Sequence, residues 1–498
     1  MIYYHLFMAV AKRWASELAI VDRAESLTYG ELAARVRRRR DRLSSECHMS
    51  DGSRVALLAN RDSRSIIDLL ALFGSNVIIT VIDKVATEAE QRALNKSFDP
   101  HFVVTGEGVI RRHTLERLDE RRHAELGALP DMVFATSGTT GEPKMVAHSQ
   151  NTLLSGLWST IALQQEAMAV EWAEPTHSDR LPGSVLADKL KSTRLGLRFG
   201  SFMAMSTIGA FTMLQRALMT GEALILIDEP TPDSILDTVQ KCGITNLAIS
   251  PFVGLSLIRS LRARERSCDS LIGIGIGGGL ARPEIVVELE LRLKCTVISA
   301  YGSTETAGPV LMSRPSDSLA IRSSTVGRPM PGSDFSLEPE MAGQELMIRS
   351  PSLMLGYWSG GSENAIVNSW YRTGDLASCD DSGNVSIIGR RGLLINRGGN
   401  KVDPVEVEST LEMYPGVKRA GVVGTPSRVA GEQDVFAFVV IMEGAAVNAI
   451  ELRRWCSSRL ALHKVPRKVR LVESLPTARD GRIQRGKLSE LAYKAALS

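Results

Sequence analysis

Short β-branched and aliphatic runs recur along most of this chain, each separated from the next by a stretch of helix length. Arg54-Val-Ala-Leu-Leu-Ala-Asn, Val77-Ile-Ile-Thr-Val-Ile, Phe102–Thr105 and Met132–Ala135 are the first of them. Ala223–Ile227, Leu247–Ile249, Ile272–Ile276 and Cys295–Ser299 follow. Strand-sized apolar runs alternating with helical patterns predict an α/β chain with largely parallel sheets. Ser26-Leu-Thr-Tyr-Gly-Glu-Leu-Ala-Ala-Arg reads as a capped helix start, and Ser63 to Leu72 as a helix. The polar stretch Gln164–Arg198 reads as a loop or an excursion helix.

From about Asp334 the texture changes. Glu345-Leu-Met-Ile-Arg and Asn384-Val-Ser-Ile-Ile, with their turns, predict antiparallel hairpins. After Gly389 a compact α+β pattern begins. It has helices at Pro404–Met413 and Ala449–Leu460, and strands at Arg419–Gly424, Val435–Ile441 and Lys468–Val472. The expected division is a large domain, residues 1–389, and a small one, residues 390–498, with the boundary near Arg390–Gly392. A length of 498 residues leaves room for about three domain-sized units, so the larger part is itself expected to be subdivided.

Composition excludes several classes. Lys and Arg total 59 against 56 Asp and Glu, so the formal charge of +3 gives no electrostatic case for nucleic acid or an anionic membrane. A hydrophobic fraction of 44% suits a large buried core rather than disorder. No apolar run reaches the length of a membrane span, and the start MIYYHLFMAVAKRW carries its positive charge after the apolar stretch, the reverse of an export signal. The cysteines at 47, 242, 268, 295, 379 and 456 form no C-x-x-C pair, and Cys47–His48 is a poor zinc pair. Reduced cysteines and a cytoplasmic protein are the expectation.

Five segments carry chemistry. In Phe134-Ala-Thr-Ser-Gly-Thr-Thr-Gly-Glu-Pro-Lys144 an apolar strand enters a turn of small and hydroxyl residues that ends in a lysine. Such a turn lets backbone N–H groups approach phosphate oxygens, while the lysine supplies charge. Its glycines stand too close for a Walker loop, and Lys144 is followed by Met145. In Ala300-Tyr-Gly-Ser-Thr-Glu-Thr-Ala-Gly308 a strand ends, and the chain is expected to turn at Gly302. That would place Thr304 and Glu305 at the carboxyl edge of a parallel sheet, where α/β proteins bind ligands. A carboxylate there suits Mg²⁺, and a hydroxyl suits a phosphate; a plain capped helix start is the competing reading. Trp370-Tyr-Arg-Thr-Gly-Asp375 sets an aspartate after a glycine turn, suited to a ribose diol or simply to capping that turn. Gly389-Arg-Arg-Gly, running on to Pro404, combines a basic turn, a strand and a double glycine. Leu475-Pro-Thr-Ala-Arg-Asp-Gly-Arg-Ile-Gln-Arg-Gly-Lys487 is a basic, turn-rich stretch near the end of the chain.

In their order and spacing these boxes, with Gly356-Tyr357 and His463-Lys-Val-Pro466, resemble the adenylate-forming superfamily. That superfamily includes acyl-CoA synthetases, adenylation domains of peptide synthetases, aryl-acid ligases and firefly luciferase. The resemblance runs from about Leu27 to Leu488. It implies a large N-terminal domain of three subdomains and a small mobile α+β C-terminal domain. It also implies an AMP-forming acid–thiol ligase with ATP, Mg²⁺ and a thiol acceptor, either coenzyme A or the phosphopantetheine of an acyl carrier protein. A carboxylic acid would give an acyl-adenylate and pyrophosphate, and the thiol would then take the acyl group.

Carried over onto this chain, the resemblance assigns the β- and γ-phosphates to Thr136, Ser137, Gly138, Thr139, Thr140, Gly141 and Lys144. Thr304 would touch the α-phosphate, and Glu305 would hold Mg²⁺. Gly277, Gly278 and Gly279 would flank the adenine with Ala300, Tyr301 and Gly302, and Asp375 and Arg390 would bind the ribose. Gly392 falls at the hinge. The family's catalytic lysine, in Leu-Pro-x-Thr-x-x-Gly-Lys, corresponds here to Arg482; Lys487 lies five residues later. An arginine is not a conservative replacement at such a contact, so an impaired member that binds nucleotide or acyl ligand is the alternative reading. Met203-Ala-Met-Ser-Thr-Ile-Gly209 has neither the aromatic-histidine pair of many acyl-CoA synthetases nor the aspartate that binds an α-ammonium. An unpaired buried ammonium is costly, so a non-amino-acid aliphatic or aryl acid is expected.

Overall fold

The structure is a computed structural model that describes residues 1–47, 49–106, 108–111, 126, 128–136, 144–167, 195–264, 266–279, 281–340, 343–358, 360, 365–397, 400–427, 433–477 and 483–497. Three sheets form the larger part of the chain. In the first, the parallel strands Arg54–Ala59, Ile78–Asp83, Phe102–Thr105 and Met132–Thr136 are continued by Lys144–His148 and then Gly356–Tyr357, both antiparallel. The second runs in parallel through Leu18–Val21, Ala223–Leu226, Arg198–Ser201, Asn246–Ile249, Gly273–Ile276 and Thr296–Ser303. The third is antiparallel, with Asp334–Glu340, Gly343–Arg349 and Trp370–Cys379 at its centre and Val385–Arg390 paired to the last of these. The small α+β part follows. Its sheet of Val417–Pro426, Gln433–Ile441 and Lys468–Leu471 is packed by helices Pro404–Glu412, Ala449–Ser457 and Arg485–Leu497.

The central strands are buried on both faces because their runs carry no polar alternation. Every residue of Ile78–Asp83 and of Ala223–Leu226 is buried. Helix starts are written into the sequence as a capping side chain followed by proline, whose fixed φ suits the first helical position. Thr231 precedes Pro232, Ser250 precedes Pro251 and Asp403 precedes Pro404; each cap accepts a backbone N–H of the first turn.

Two local expectations are corrected. The strand beginning at Thr296 does not end at Ser299, nor does the chain turn at Gly302; it runs on to Ser303 and pairs antiparallel with Gly308–Met312. The reversal comes at the 3₁₀ turn Thr304–Thr306 and at Ala307, which adopts φ +53°. Gly302 is required by this close pairing, since a Cβ there would run into the Gly308 carbonyl. Ser26–Thr28 is a short strand, and the helix begins at Tyr29; Glu31 still closes the turn by accepting the Thr28 N–H at 2.8 Å. The stretch Gln164–Arg198 lies largely outside the described residues, although the helix Gln150–Ala167 enters it.

Candidate functional site

The C-terminal ends of the parallel strands meet the antiparallel hairpin and the third sheet. There the structure brings together several of the sequence-predicted residues. Strand Gly273–Ile276 lies beside Thr296–Ser303, with Ile276 opposite Ser299. Gly277 therefore passes close by Ala300, and a Cβ on it would lie 2.9 Å from the Ala300 carbonyl oxygen. Gly278, at φ +73°, faces open space. This is a glycine edge over which a flat base can lie.

Asp375 is cross-strand partner to Arg390, its Oδ1 3.7 Å from the guanidinium Nε. The Tyr301 hydroxyl donates to Asp375 Oδ2 at 2.6 Å. Asp375 does not follow a tight turn as the sequence suggested. It lies within strand Trp370–Cys379, just after Gly374, whose φ of +75° kinks the strand without ending it. Burial raises the Asp375 carboxyl above its ordinary value, while Arg390 and the Tyr301 hydroxyl pull it back.

Thr304 and Glu305 form the half-buried shoulder of the 3₁₀ turn, and both of their carbonyls are held. His148 Nε2 donates to the Thr304 carbonyl at 2.7 Å, and the Met354 N–H donates to that of Glu305 at 2.8 Å. A carbonyl only accepts, so the His148 proton sits on Nε2 and Nδ1 takes the Thr152 hydroxyl, 2.9 Å away. Burial lowers the imidazole to about 4, against the Thr304 hydrogen bond and the Glu305 charge, so the ring stays neutral near pH 7. Tyr357 donates its hydroxyl to Glu305 Oε1 at 3.2 Å, and the Lys144 ammonium lies 5.2 Å from the centre of the same ring.

Residues 137–143, including Ser137, Gly138, Thr139, Thr140 and Gly141, lie outside the described residues, as does Arg482. The flanks of the first turn are described. Thr136 and Lys144 are directly opposed across an antiparallel pair of strands. The second loop is flanked by a bridge between Thr477 and Ile483. Lys487 is exposed on the helix Arg485–Leu497, beside Leu488, which is buried against the small sheet at Gly421. Arg485, two residues before it, is anchored to Glu408 by paired contacts of 2.6 and 2.8 Å.

Residues 130–358 match the model of the AMP-binding enzyme family, and residues 406–482 match that of the AMP-binding enzyme C-terminal domain. The chain belongs to the AMP-binding, adenylate-forming enzyme family. Among its relatives, the "medium-chain acyl-CoA ligase ACSF2, mitochondrial" of Mus musculus is 28% identical over 376 residues. That alignment takes in 72% of this chain and only 57% of the relative. A 2-succinylbenzoate–CoA ligase of Listeria monocytogenes is 25% identical over 488 residues, covering 95% of this chain and 96% of the relative. Among solved structures, the fold is shared with the anthranilate CoA ligase AuaEII in complex with anthranoyl-AMP, with a TM-score of 0.81, 18% identity and coverage of 100% of this chain and 98% of that one. It is shared equally with o-succinylbenzoate CoA synthetase from Bacillus subtilis in complex with its acyl-adenylate, with a TM-score of 0.79, 21% identity and 97% coverage of both chains.

The residues present fit the nucleotide and metal that this family implies. Glu305 offers one hard oxygen ligand, the share Mg²⁺ commonly takes from protein when phosphates supply the rest. The glycine edge leaves room for a base, and the Asp375–Tyr301–Arg390 cluster offers a carboxylate to a diol. His148 was not singled out from the sequence, and Tyr357 and Tyr371 appeared only as parts of boxes. A lone histidine on an apolar strand usually means core, and only the fold shows that this one reaches Thr304. Tyr371 adds a buried phenol, hydrogen-bonded to Tyr357; burial raises it far above the ordinary tyrosine range.

Proposed function

We propose that this chain is an AMP-forming acid–thiol ligase. In the first step the acid's carboxylate oxygen attacks the α-phosphorus of ATP, and the bond to pyrophosphate breaks. In the second a thiolate attacks the acyl carbon, and AMP leaves. Coenzyme A or a carrier-protein phosphopantetheine is the acceptor. Lys144 and the hydroxyl turn would meet the β- and γ-phosphates, Thr304 the α-phosphate, and Asp375 with Arg390 the ribose. Mg²⁺ held at Glu305 would supply charge to the triphosphate. The observation that carries this reading is the convergence of Lys144, Thr304, Glu305, Asp375 and the Gly277–Gly279 edge at one end of the parallel strands.

For the acid, the strip Met203–Gly209 holds no carboxylate for an α-ammonium, which supports a non-amino-acid aliphatic or aryl substrate. Its Ser206 hydroxyl donates to the buried Asp83. The relatives named above act on acids of this kind by name. We place the domain boundary at residues 389 and 390, where the last strand of the third sheet ends. Among the described residues no helix is long and apolar enough to cross a membrane, and Cys242, Cys268, Cys295, Cys379 and Cys456, which form no disulfide there, accord with the cytoplasm.

Pyrophosphate exchange into ATP, screened over a library of carboxylic acids, tests the reading: one class of acid should support exchange, with AMP as the nucleotide product once a thiol is added. Release of ADP would overturn it. Arg482 motivates the second reading, a family member that binds nucleotide or acyl ligand with impaired chemistry. ATP binding without exchange for any acid would favour that one.

A further inference from the structure

Tyr357 lies between two opposite charges that the proposed function needs apart. The short strand Gly356–Tyr357 is laid antiparallel on Lys144–His148, with Tyr357 opposite Val146 and Gly356 opposite Ala147. Lys144 is thus a diagonal neighbour of Tyr357, within reach of a long side chain. Its ammonium sits over the phenol ring, 5.2 Å from the centroid, in the geometry of a cation–π contact. At the far end of the ring the hydroxyl donates to Glu305 Oε1 at 3.2 Å.

The ring is held on both sides. Its neighbour Trp358 is 1% exposed, packs against Phe98 and donates its backbone N–H to the Met145 carbonyl at 2.7 Å. Leu355 donates to the Ala147 carbonyl at 2.8 Å, and Met354 to that of Glu305 at 2.8 Å. One short segment therefore fixes the strand that leads out of the phosphate turn, the turn that carries Glu305 and the aromatic between them.

A lysine and a glutamate in one cleft tend to pair with each other. Such a pair would occupy the cation meant for phosphate and the carboxylate meant for metal. Among the described residues no ion pair joins Lys144 to Glu305. Resting on the ligase reading above, we propose that Tyr357 is a positioning residue that keeps these two charges separate. Its ring face holds the Lys144 ammonium and its hydroxyl holds the Glu305 carboxylate, so that both are free for a magnesium triphosphate.

Calorimetric titration of the full chain with ATP, with and without Mg²⁺, tests this without relying on turnover. Tyr357→Phe keeps the ring face and loses only the hydroxyl. It should leave Mg²⁺-free ATP affinity within about twofold and raise the Mg²⁺ concentration for half-maximal tight binding by about tenfold, as expected for a lost hydrogen bond to a charged group. Tyr357→Leu also frees the ammonium to pair with Glu305, and should weaken Mg²⁺-free ATP binding about threefold or more. Adding Glu305→Gln to that variant removes the competing carboxylate and should restore Mg²⁺-free affinity. A merely structural tyrosine would not be rescued in this way. The inference is overturned if Tyr357→Phe leaves the Mg²⁺ dependence unchanged, or if Glu305→Gln rescues nothing in a variant whose melting transition is intact. If the unaltered chain binds no ATP, the nucleotide reading itself falls, and the inference with it.

Discussion

At the scale of single residues, Asp375 and Arg482 pose opposite questions. Asp375 is partly buried, accepts from Tyr301 and faces Arg390. A carboxylate that takes two ribose hydroxyls forms charge-assisted hydrogen bonds, each worth roughly 1.5–3 kcal/mol. Asp375→Ala should weaken ATP binding by about tenfold or more with the fold intact, and unchanged affinity by calorimetry would remove Asp375 from the site. Arg482 lies outside the described residues, and its assignment rests on counting from Leu475-Pro476. A guanidinium there keeps the charge but spreads it over a broad fork where the family has a compact ammonium. A well-placed transition-state donor is typically worth about 10²–10³ in rate, so Arg482→Lys should accelerate pyrophosphate exchange. Thioester formation from pre-formed acyl-adenylate should hardly respond. Lys487→Ala is the control, and the exposure of Lys487 on a helix predicts little effect. Abolished exchange in that variant would show that the loop has been counted five residues out of register.

At the scale of elements, the parallel strands were legible because burial on both faces demands unbroken apolar runs, and the helix at Pro404 because proline suits a first helical turn. The hairpin Thr296–Met312 was not legible. Its second strand pairs through Gly308, and only the pairing itself explains why Gly302 has no side chain. Asp375 was found for the right box but misplaced, since a positive-φ glycine marks a kink within a strand as readily as a turn that ends one. His148 escaped notice because its role is long-range: it ties the strand leaving the phosphate turn to the turn that bears Thr304 and Glu305, 156 residues away. Its neutral form binds the Thr304 carbonyl, and burial lowers its pKa to about 4 from an ordinary 6.5. The unfolded chain therefore takes up this proton first. Stability should be fully present above about pH 6.5 and fall as the pH drops toward 4. His148→Gln, which keeps an N–H donor at similar reach, should flatten this part of the acid unfolding profile and retain exchange activity better than His148→Leu. Equal activity in the two variants would mean that the hydrogen bond to Thr304 does not matter for the site.

At the scale of the whole molecule, among the described residues one helix of the small part takes hydrogen bonds from two arginines of the large part. Arg282 donates to the Glu406 carbonyl at 2.9 Å and to the Thr410 hydroxyl, while Arg259 donates to the Glu412 carbonyl at the C-terminal end of the same helix. Arginine there satisfies a carbonyl left open by the helix and meets the negative end of its dipole. Arg419 returns the contact from the other side, its guanidinium 4.1 Å from the centre of the Phe252 ring. Interfaces within a chain that rest on polar contacts of this kind permit relative motion of the two parts. Between the two parts lies Gly392, at φ +77° with nothing near where a Cβ would project. Proline fixes φ near −65°, so Gly392→Pro excludes this arrangement outright rather than merely stiffening it. If the two half-reactions use different orientations, the one served by the arrangement seen here should fall steeply in this variant and the other should be largely retained. Arg259→Ala with Arg282→Ala should shift the balance in the same direction by a smaller amount. The distance between fluorophores placed on the two parts should change in both variants, against the same partition measured as pyrophosphate exchange and as thioester formation from pre-formed acyl-adenylate. A changed distance with both half-reactions reduced alike would leave Gly392 as a structural link and deny it the part of a hinge.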